Sequence, residues 1–289
     1  MCCNQLAKPW RINLFKTHTV VLMLTRLLAF GWLLLAVGCE RTGEQGSNEP
    51  AKVNQHATAS ADYVGSEVCA GCHGAEHDAW LDSHHQLAMA LPTQDVVSGD
   101  FADAAFANAS THPTFSQHND VFAVRTEGAD GNLADFSVRY TFGVVPLQQY
   151  LLELPGGRLQ AHSVAWDVRP EAAGGQRWFH LQPDDVVDHN DVLHWTRDSQ
   201  NWNYMCADCH STAVAKNYDA ASNTYATEFA EISVGCEACH GPGSQHVANP
   251  SHALAMLKDQ AEQVNACAPC HSRRSQLAEG FQPSRAYLD

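Results

Sequence analysis

Four copies of one short pattern, Cys-x-x-Cys-His, stand out as residues whose types and spacing could do chemistry. The cysteines are Cys69, Cys72, Cys206, Cys209, Cys236, Cys239, Cys267 and Cys270, and the histidines are His73, His210, His240 and His271. This spacing suits covalent attachment of c-type haem, because each thiol can form a thioether with one haem vinyl group while the histidine reaches the iron. We therefore predict four covalently bound haems c, with these histidines as iron ligands.

Three other uses of paired cysteines compete with haem attachment. A zinc ribbon pairs cysteines in the same way, but it does not require a histidine after every second cysteine. A redox dithiol is expected once, near a βαβ unit, and not four times. Disulfides are permitted in an exported chain. The fourfold repetition of the complete pattern favours haem.

The first 38 residues have the composition of an export signal. They carry four basic residues and no acidic one, and they end in the apolar run LLAFGWLLLAVG, which is short for a membrane span. The junction Gly38-Cys39 resembles a bacterial lipoprotein signal, with Cys39 as the lipidated first residue. Ordinary cleavage near Gly38 and an uncleaved anchor are the alternatives. All three place the rest of the chain outside the cytoplasm, and we predict a periplasmic or outer-membrane-anchored bacterial lipoprotein.

Beyond residue 38 the chain is strongly acidic. It keeps 13 Lys and Arg against 32 Asp and Glu, a formal charge of −19 with His neutral. Charge of this sign argues against nucleic acid or anionic lipid as a partner. It suits other redox proteins, basic ones above all, as electron donor and acceptor, with the membrane reached only through a lipid on Cys39.

Two segments precede the long middle of the chain. Residues 39–61 are small and polar, which predicts a flexible tether. In residues 62–92 the first motif is followed by apolar residues at helical spacing. We predict a helix there from about Ala75 to Ala90, ended by Pro92.

Residues 93–200 carry the signals of β structure. Runs rich in β-branched and aromatic residues are separated by a Gly/Asp turn, by Pro155-Gly156-Gly157 and by a later Gly-Gly pair. These turns predict an antiparallel meander of four or five strands.

Motifs two to four crowd into residues 201–289, at spacings of 30 and 31 residues. So short a segment leaves little room for a protein core between them, and we expect the haems to supply the apolar bulk. The predicted fold class is α+β: a mainly helical and irregular multihaem cytochrome c fold with a β-rich insert between the first and second motifs. No domain is completed between His271 and Asp289, so we expect a longer protein.

The stretch around the third motif, VGCEACHGPG, resembles the third haem site of the cytochrome c-554 family of tetrahaem electron carriers. That family also has, after its first motif, a Trp, a His five residues later and a Met four residues further on. This chain has Trp80, His85 and Met89 at those spacings. The likeness covers residues 65–92 and 203–272. The β insert is instead similar to the N-terminal segment of larger multihaem proteins that continue into tetratricopeptide repeats.

The resemblance implies two histidines that cross between haems. His85 would bind the iron of the third motif, opposite His240. His246 would bind the iron of the first motif, opposite His73. The Gly-Pro-Gly turn before His246 lets the backbone pass close to a porphyrin and directs this histidine towards a neighbouring haem.

Other ligand positions stay open. His252 could bind the first haem, the fourth haem or none, and His84 could replace His85. No histidine follows His271, so the fourth iron takes an upstream ligand or keeps an open position. In the family the second haem lacks a distal ligand, which implies an open position at the iron of His210.

The function predicted from these features is electron transport by an exported multihaem cytochrome. The sequence has no nucleophile motif, no phosphate-binding loop and no paired carboxylates at a meaningful spacing, so no catalytic residue is assigned. One alternative is a redox enzyme that acts on a small nitrogen or oxygen species at a five-coordinate haem. Another is a scaffold within a longer repeat-containing protein.

Overall fold

The computed structural model describes residues 61–272 together with Arg274 and Tyr287. The export signal, Cys39 and residues 40–60 of the tether lie outside the described residues, so they stay predictions. The described residues belong to one compact unit, Ala57–Asp289. Among them, no helix combines the length and the apolar character that crossing a bilayer requires.

The α-helices in the described part are short, between four and 12 residues long. They are α1 Ser66–Ala70, α2 Gly74–Trp80, α3 Trp202–Met205, α4 Ala207–His210, α5 Cys236–His240, α6 Ser244–Ala248 and α7 Gln260–His271. Single 3-10 turns lie at Gln86–Ala88, Glu171–Ala173 and Asp198–Gln200. The longest helix, α7, begins in a capping box. The side chain of Asp259 accepts the backbone N–H of Glu262, and the side chain of Glu262 accepts the backbone N–H of Asp259.

The strands form one large antiparallel sheet and one small ribbon. They are β1 Met89–Ala90, β2 Ala102–Ala105, β3 Thr114–His118, β4 Val121–Glu127, β5 Leu133–Phe142, β6 Leu147–Leu154, β7 Arg158–Ala161, β8 Val164–Asp167, β9 Arg177–His180, β10 Tyr218–Asp219 and β11 Thr224–Tyr225. The large sheet has the order β2-β3-β4-β5-β6-β8-β9, with β1 added to β5 and β7 added to β6. The ribbon is β10-β11.

The prediction of a mainly helical and irregular fold is wrong, because the described part of the chain is mostly β. Eight strands, β2 to β9, lie within residues 93–200, where four or five were expected. The nine-stranded sheet therefore supplies most of the regular structure. The helices stay short because each haem motif occupies only about one helical turn.

The helix expected from Ala75 to Ala90 is also shorter than predicted. It ends at Trp80, since Leu81 is extended and Asp82 has a φ of 60°. Further on, Met89 pairs with Phe142 as part of the sheet. Apolar residues at helical spacing here contact different parts of the protein, so their periodicity does not belong to one helix.

Turns of the sheet lie at the glycine-containing stretches that predicted them. Residues 128–132 join β4 to β5, and Gly156 and Gly157, both with positive φ, join β6 to β7. A side chain at Gly157 would also overlap the carbonyl oxygen of Tyr225. Only glycine satisfies both conditions at this position.

Two apolar cores lie against the sheet. The larger one is rich in aromatic rings, among which Phe115 and Trp178 stack with centroids 3.6 Å apart. The smaller one consists of Met89, Phe142, Leu151, Ala161, Trp202 and Ala207. Because Trp202 and Ala207 belong to α3 and α4, this smaller core fixes the second Cys-x-x-Cys-His motif to the sheet.

Candidate haem-binding sites

Each Cys-x-x-Cys-His motif folds as a turn of helix. In the first motif the backbone N–H groups of Cys72 and His73 both donate to the carbonyl oxygen of Cys69, at 3.1 and 2.9 Å. The other three motifs begin or end within α4, α5 and α7. Residues three and four positions apart are neighbours on a helix surface, so the two thiols and the imidazole face the same side. The local fold thus presents all three groups to one planar cofactor.

Neither a disulfide nor a metal cluster is seen at the four motifs within the described residues. Throughout the described ranges, the eight motif cysteines are free thiols. The same residues contain no cluster of three or more His, Cys, Asp or Glu side chains placed to hold a metal ion.

The rings of His73 and His246 lie at the separation that a shared iron requires. Their centroids are 6.2 Å apart and their planes differ by 27°. A metal bonded to two opposed imidazoles separates their centroids by roughly 6 Å, because each metal–nitrogen bond is about 2 Å and each half ring adds about 1 Å. The structure thus brings together the two histidines that the sequence assigns to the first haem.

A second pair with this spacing joins His85 to His271. Their ring centroids are 6.0 Å apart and their planes differ by 71°. The sequence resemblance implied His240 as the partner of His85, but the ring contact of His85 is with the histidine of the fourth motif. His85 therefore lies next to the histidine of the fourth motif, and which iron it binds stays a prediction.

Hydrogen bonds hold several imidazoles in the tautomer that binds iron. The Nδ1 atoms of His210, His240 and His246 lie 3.4, 2.7 and 2.8 Å from the carbonyl oxygens of Ala88, Ala255 and His252. A carbonyl oxygen only accepts, so each Nδ1 carries the proton and each Nε2 keeps its lone pair for a metal.

His252 is placed near the first pair by its backbone. Its carbonyl oxygen accepts the hydrogen bond from His246, while its side chain is exposed. The structure therefore gives His252 an orienting contact with His246 that any residue at this position could make.

The segment from Trp80 to Met89 contacts three motifs in succession. The indole N–H of Trp80 donates to the carbonyl oxygen of Val234, just before the third motif, at 3.0 Å. His85 meets the fourth motif, as described above. Met89 is buried, and its sulfur accepts from the hydroxyl of Ser211, just after the second motif, at 3.7 Å. These three residues therefore do not lie on one face of a single helix. Each contacts a different haem motif or a residue next to it.

His210 of the second motif is half-buried. The ring of Phe142 meets it edge-on, with centroids 5.6 Å apart. Burial lowers the pKa of His210, which keeps the imidazole neutral. A neutral imidazole is the form that binds a metal.

Thiols from different motifs lie next to one another. Cys69 of the first motif is within hydrogen-bonding reach of Cys236 of the third, and burial together with this neighbour raises the pKa of Cys69 to about 11. Burial also raises the pKa of Cys239, and the electrostatic influence of Cys267 in the fourth motif adds to the rise.

The second motif meets the fourth in the same way. A hydrogen bond with Cys270 lowers the pKa of Cys209, and the same contact raises the pKa of Cys270. The Sγ of Cys209 also lies 3.8 Å from the carbonyl oxygen of Pro269, and that of Cys270 lies 3.9 Å from the carbonyl oxygen of Asp208. Motifs two and four therefore pack directly against each other.

The sequence interpretation missed two carboxylates that sit between the cysteines of motifs. Asp208 lies 3.4 Å from the ammonium of Lys216 and 3.9 Å from the guanidinium of Arg274, which follows the fourth motif. Glu237 accepts three backbone N–H groups from outside its own motif turn. An acidic residue inside Cys-x-x-Cys-His was the available signal, since haem attachment itself does not require one.

Comparison with known proteins supports the family assignment for part of the chain. Residues 175–241 match the family model described as cytochrome c554 and c-prime. This match confirms the resemblance to the cytochrome c-554 family over the second and third motifs. No curated protein matches the chain.

Two solved structures of cytochromes are similar to this chain. The crystal structure of the outer cell wall cytochrome OcwA is 22% identical, with a TM-score of 0.46, and the match covers 78% of this chain and 40% of that one. The undecaheme cytochrome from the S-layer of Carboxydothermus ferrireducens is also 22% identical, with a TM-score of 0.44 and coverage of 73% and 25%. This chain thus spans less than half the length of either structure.

Proposed function

Because residues 175–241 carry a cytochrome c554 segment, we propose that this chain is an exported electron carrier with four covalently bound haems c. Haem supplies an iron that accepts and releases one electron. The eight motif cysteines hold the haems, and His73, His210, His240 and His271 each bind one iron. The lipid on Cys39 remains part of the proposal as the membrane attachment.

Two of the sites have a second imidazole in place. His246 faces His73, and His85 faces His271, both at about the spacing of opposed metal ligands. Filling both axial positions favours electron transfer, because it leaves the iron no position for a substrate. These two pairs support a carrier over an enzyme at the first and fourth sites.

The nearness of thiols from different motifs also supports the proposal. A thioether marks the edge of a haem, so neighbouring thiols bring haem edges together. Cys69 adjoins Cys236, and Cys239 interacts with Cys267. Cys209 of the second motif forms a hydrogen bond with Cys270 of the fourth. The motifs are thereby linked in the spatial order one, three, four, two, a continuous route for electrons along the protein.

The proposal predicts that the haem-loaded protein takes up four electrons reversibly. Potentiometric titration followed by visible absorption should show four one-electron reductions. A matched variant, Cys69→Ala with Cys72→Ala, should take up three, because it loses the covalent attachment of one haem. Haem that stays oxidised at all accessible potentials, or a variant that still takes up four electrons, would contradict the proposal.

A further inference from the structure

We propose that Glu237, inside the third motif, is a positioning residue that sets the separation of His73 and His246. The inference rests on the proposed function, in which these two histidines bind the first iron. Glu237 does not belong to either histidine's own segment. Its carboxylate accepts backbone N–H groups from the segment that leads to His73 and from the segment that precedes His246.

The carboxylate of Glu237 is enclosed and fully engaged with backbone donors. Its residue is 2% exposed. The N–H of Val64 lies 3.0 Å from both carboxylate oxygens, that of Gly65 lies 2.8 Å from Oε2, and that of Gly243 lies 2.7 Å from Oε1. A buried charge is tolerated when hydrogen bonds replace its hydration, and bonds to a charged acceptor are the strong kind.

These donors come from the two segments that carry the histidine pair. Val64 and Gly65 lead directly into α1, which begins the turn that ends at His73. Gly243 directly precedes α6, in which His246 is the third residue. One carboxylate therefore ties both segments to the third motif. A direct link lies beside it, in which the N–H of Asp62 donates to the Ser244 hydroxyl at 2.8 Å and the N–H of Ser244 donates to the carbonyl oxygen of Asp62 at 3.1 Å.

The glycines around the third motif fit this arrangement. A Cβ at Gly243 would lie 3.2 Å from Oε1 of Glu237 and 3.3 Å from the Val64 side chain, tighter than an ordinary contact. Gly241 has a φ of 80°, which lets the chain turn back towards the carboxylate. The Gly-Pro-Gly turn thus brings the N–H of Gly243 onto Glu237, in addition to directing His246.

A second, partly buried contact joins the first and third motifs without involving the segment of His246. Oε2 of Glu231 accepts from the hydroxyl of Ser66 at 2.9 Å, and that hydroxyl accepts the N–H of Cys236 at 3.0 Å. This link keeps the two motifs together when Glu237 is changed. The expected effect of a Glu237 variant is therefore confined to the histidine pair.

The structure predicts different results for two substitutions. Glu237→Ala leaves three backbone N–H groups without an acceptor and should loosen the α6 segment, which then keeps its two hydrogen bonds with the backbone of Asp62. Glu237→Gln keeps the shape of the side chain. Its amide nitrogen, however, must face the N–H group of either Gly243 or Gly65, and two donors cannot form a hydrogen bond with each other. Both variants should keep four haems. The first should lose the low-spin signal of one iron, and the second should lose part of it.

The experiment compares spin states in the full haem-loaded chain. Electron paramagnetic resonance counts low-spin and high-spin irons, and intact mass counts haems. Glu76→Gln, an exposed carboxylate on α2 close to the first motif, is the matched control and should change neither count. If Glu237 acts through the pair, adding Glu237→Ala to His246→Ala should cost no second low-spin iron.

The outcomes separate this inference from the proposed function. Unchanged low-spin counts in both Glu237 variants, each with four haems, would overturn the inference and leave the carrier intact. A second low-spin iron lost in the double variant would also overturn it, since Glu237 would then have a general structural role. If Glu237→Ala does not fold, Glu237→Gln decides. Absence of haem from the parent protein would instead refute the proposed function.

Discussion

We expect His246→Ala to convert one iron of the haem-loaded protein from low-spin to high-spin while four haems remain attached. The expected cause is loss of the imidazole that faces His73 at 6.2 Å. The thioethers and His73 still hold the haem, so only one axial position is lost. Electron paramagnetic resonance should show one low-spin signal fewer, and the intact mass should differ from the parent only by the substitution.

His252→Ala is the matched control for this prediction. The structure uses the carbonyl oxygen of His252, which alanine also has, to orient His246. This variant should therefore keep every low-spin signal of the parent. The opposite pattern, with loss in the His252 variant and none in the His246 variant, would make His252 the ligand and contradict the assigned pair.

His85→Ala and His271→Ala should each remove one low-spin signal, and the double variant should still remove only one. The reason is that the two rings, 6.0 Å apart, share one iron in the proposed arrangement. Effects of residues that act on the same site are not additive. The readout is again the low-spin count in protein that keeps four haems.

The family resemblance gives the contrasting expectation. If His85 binds the iron opposite His240, then His85→Ala and His271→Ala act on different haems. The double variant would then lose two low-spin signals. Loss of two signals would contradict the pairing seen in the structure and restore the one implied by the sequence.

The four motifs could be predicted from sequence because their chemistry depends on local spacing. Residues at positions i, i+3 and i+4 face one side of a helical turn, and that turn needs little tertiary support. The pairing of His246 with His73 was also predicted, through the family resemblance. Its assignment as a ligand pair stays a prediction until haem is bound and measured.

The sequence resemblance and the structure pair His85 with different motifs, and its iron ligand role stays a prediction. Which motif lies near His85 depends on how the chain between Trp80 and Met89 leaves the helix and joins the sheet. The periodicity of this segment suggested a continuous helix, whereas Asp82 with positive φ and the pairing of Met89 with Phe142 redirect it. The periodicity of a segment does not show whether it will pair with a strand that is distant in sequence.

The extent of the sheet was underestimated for a related reason. Strands such as β8, with four buried residues in succession, show no alternation of apolar and polar positions. Short strands of this kind can be identified only once the neighbouring strands with which they pair are known. The roles of Glu237 and Asp208 were hidden as well, because their contacts come from residues far away in sequence.

Intact mass spectrometry of the mature protein tests the central claim most directly. Four covalently attached haems should raise the mass above that of the processed polypeptide by four haem masses, and the protein should be red. Conversion of both cysteines of one motif to Ala should lower the increment by one haem mass. A colourless protein that carries zinc, or a polypeptide mass without any haem increment, would contradict the account.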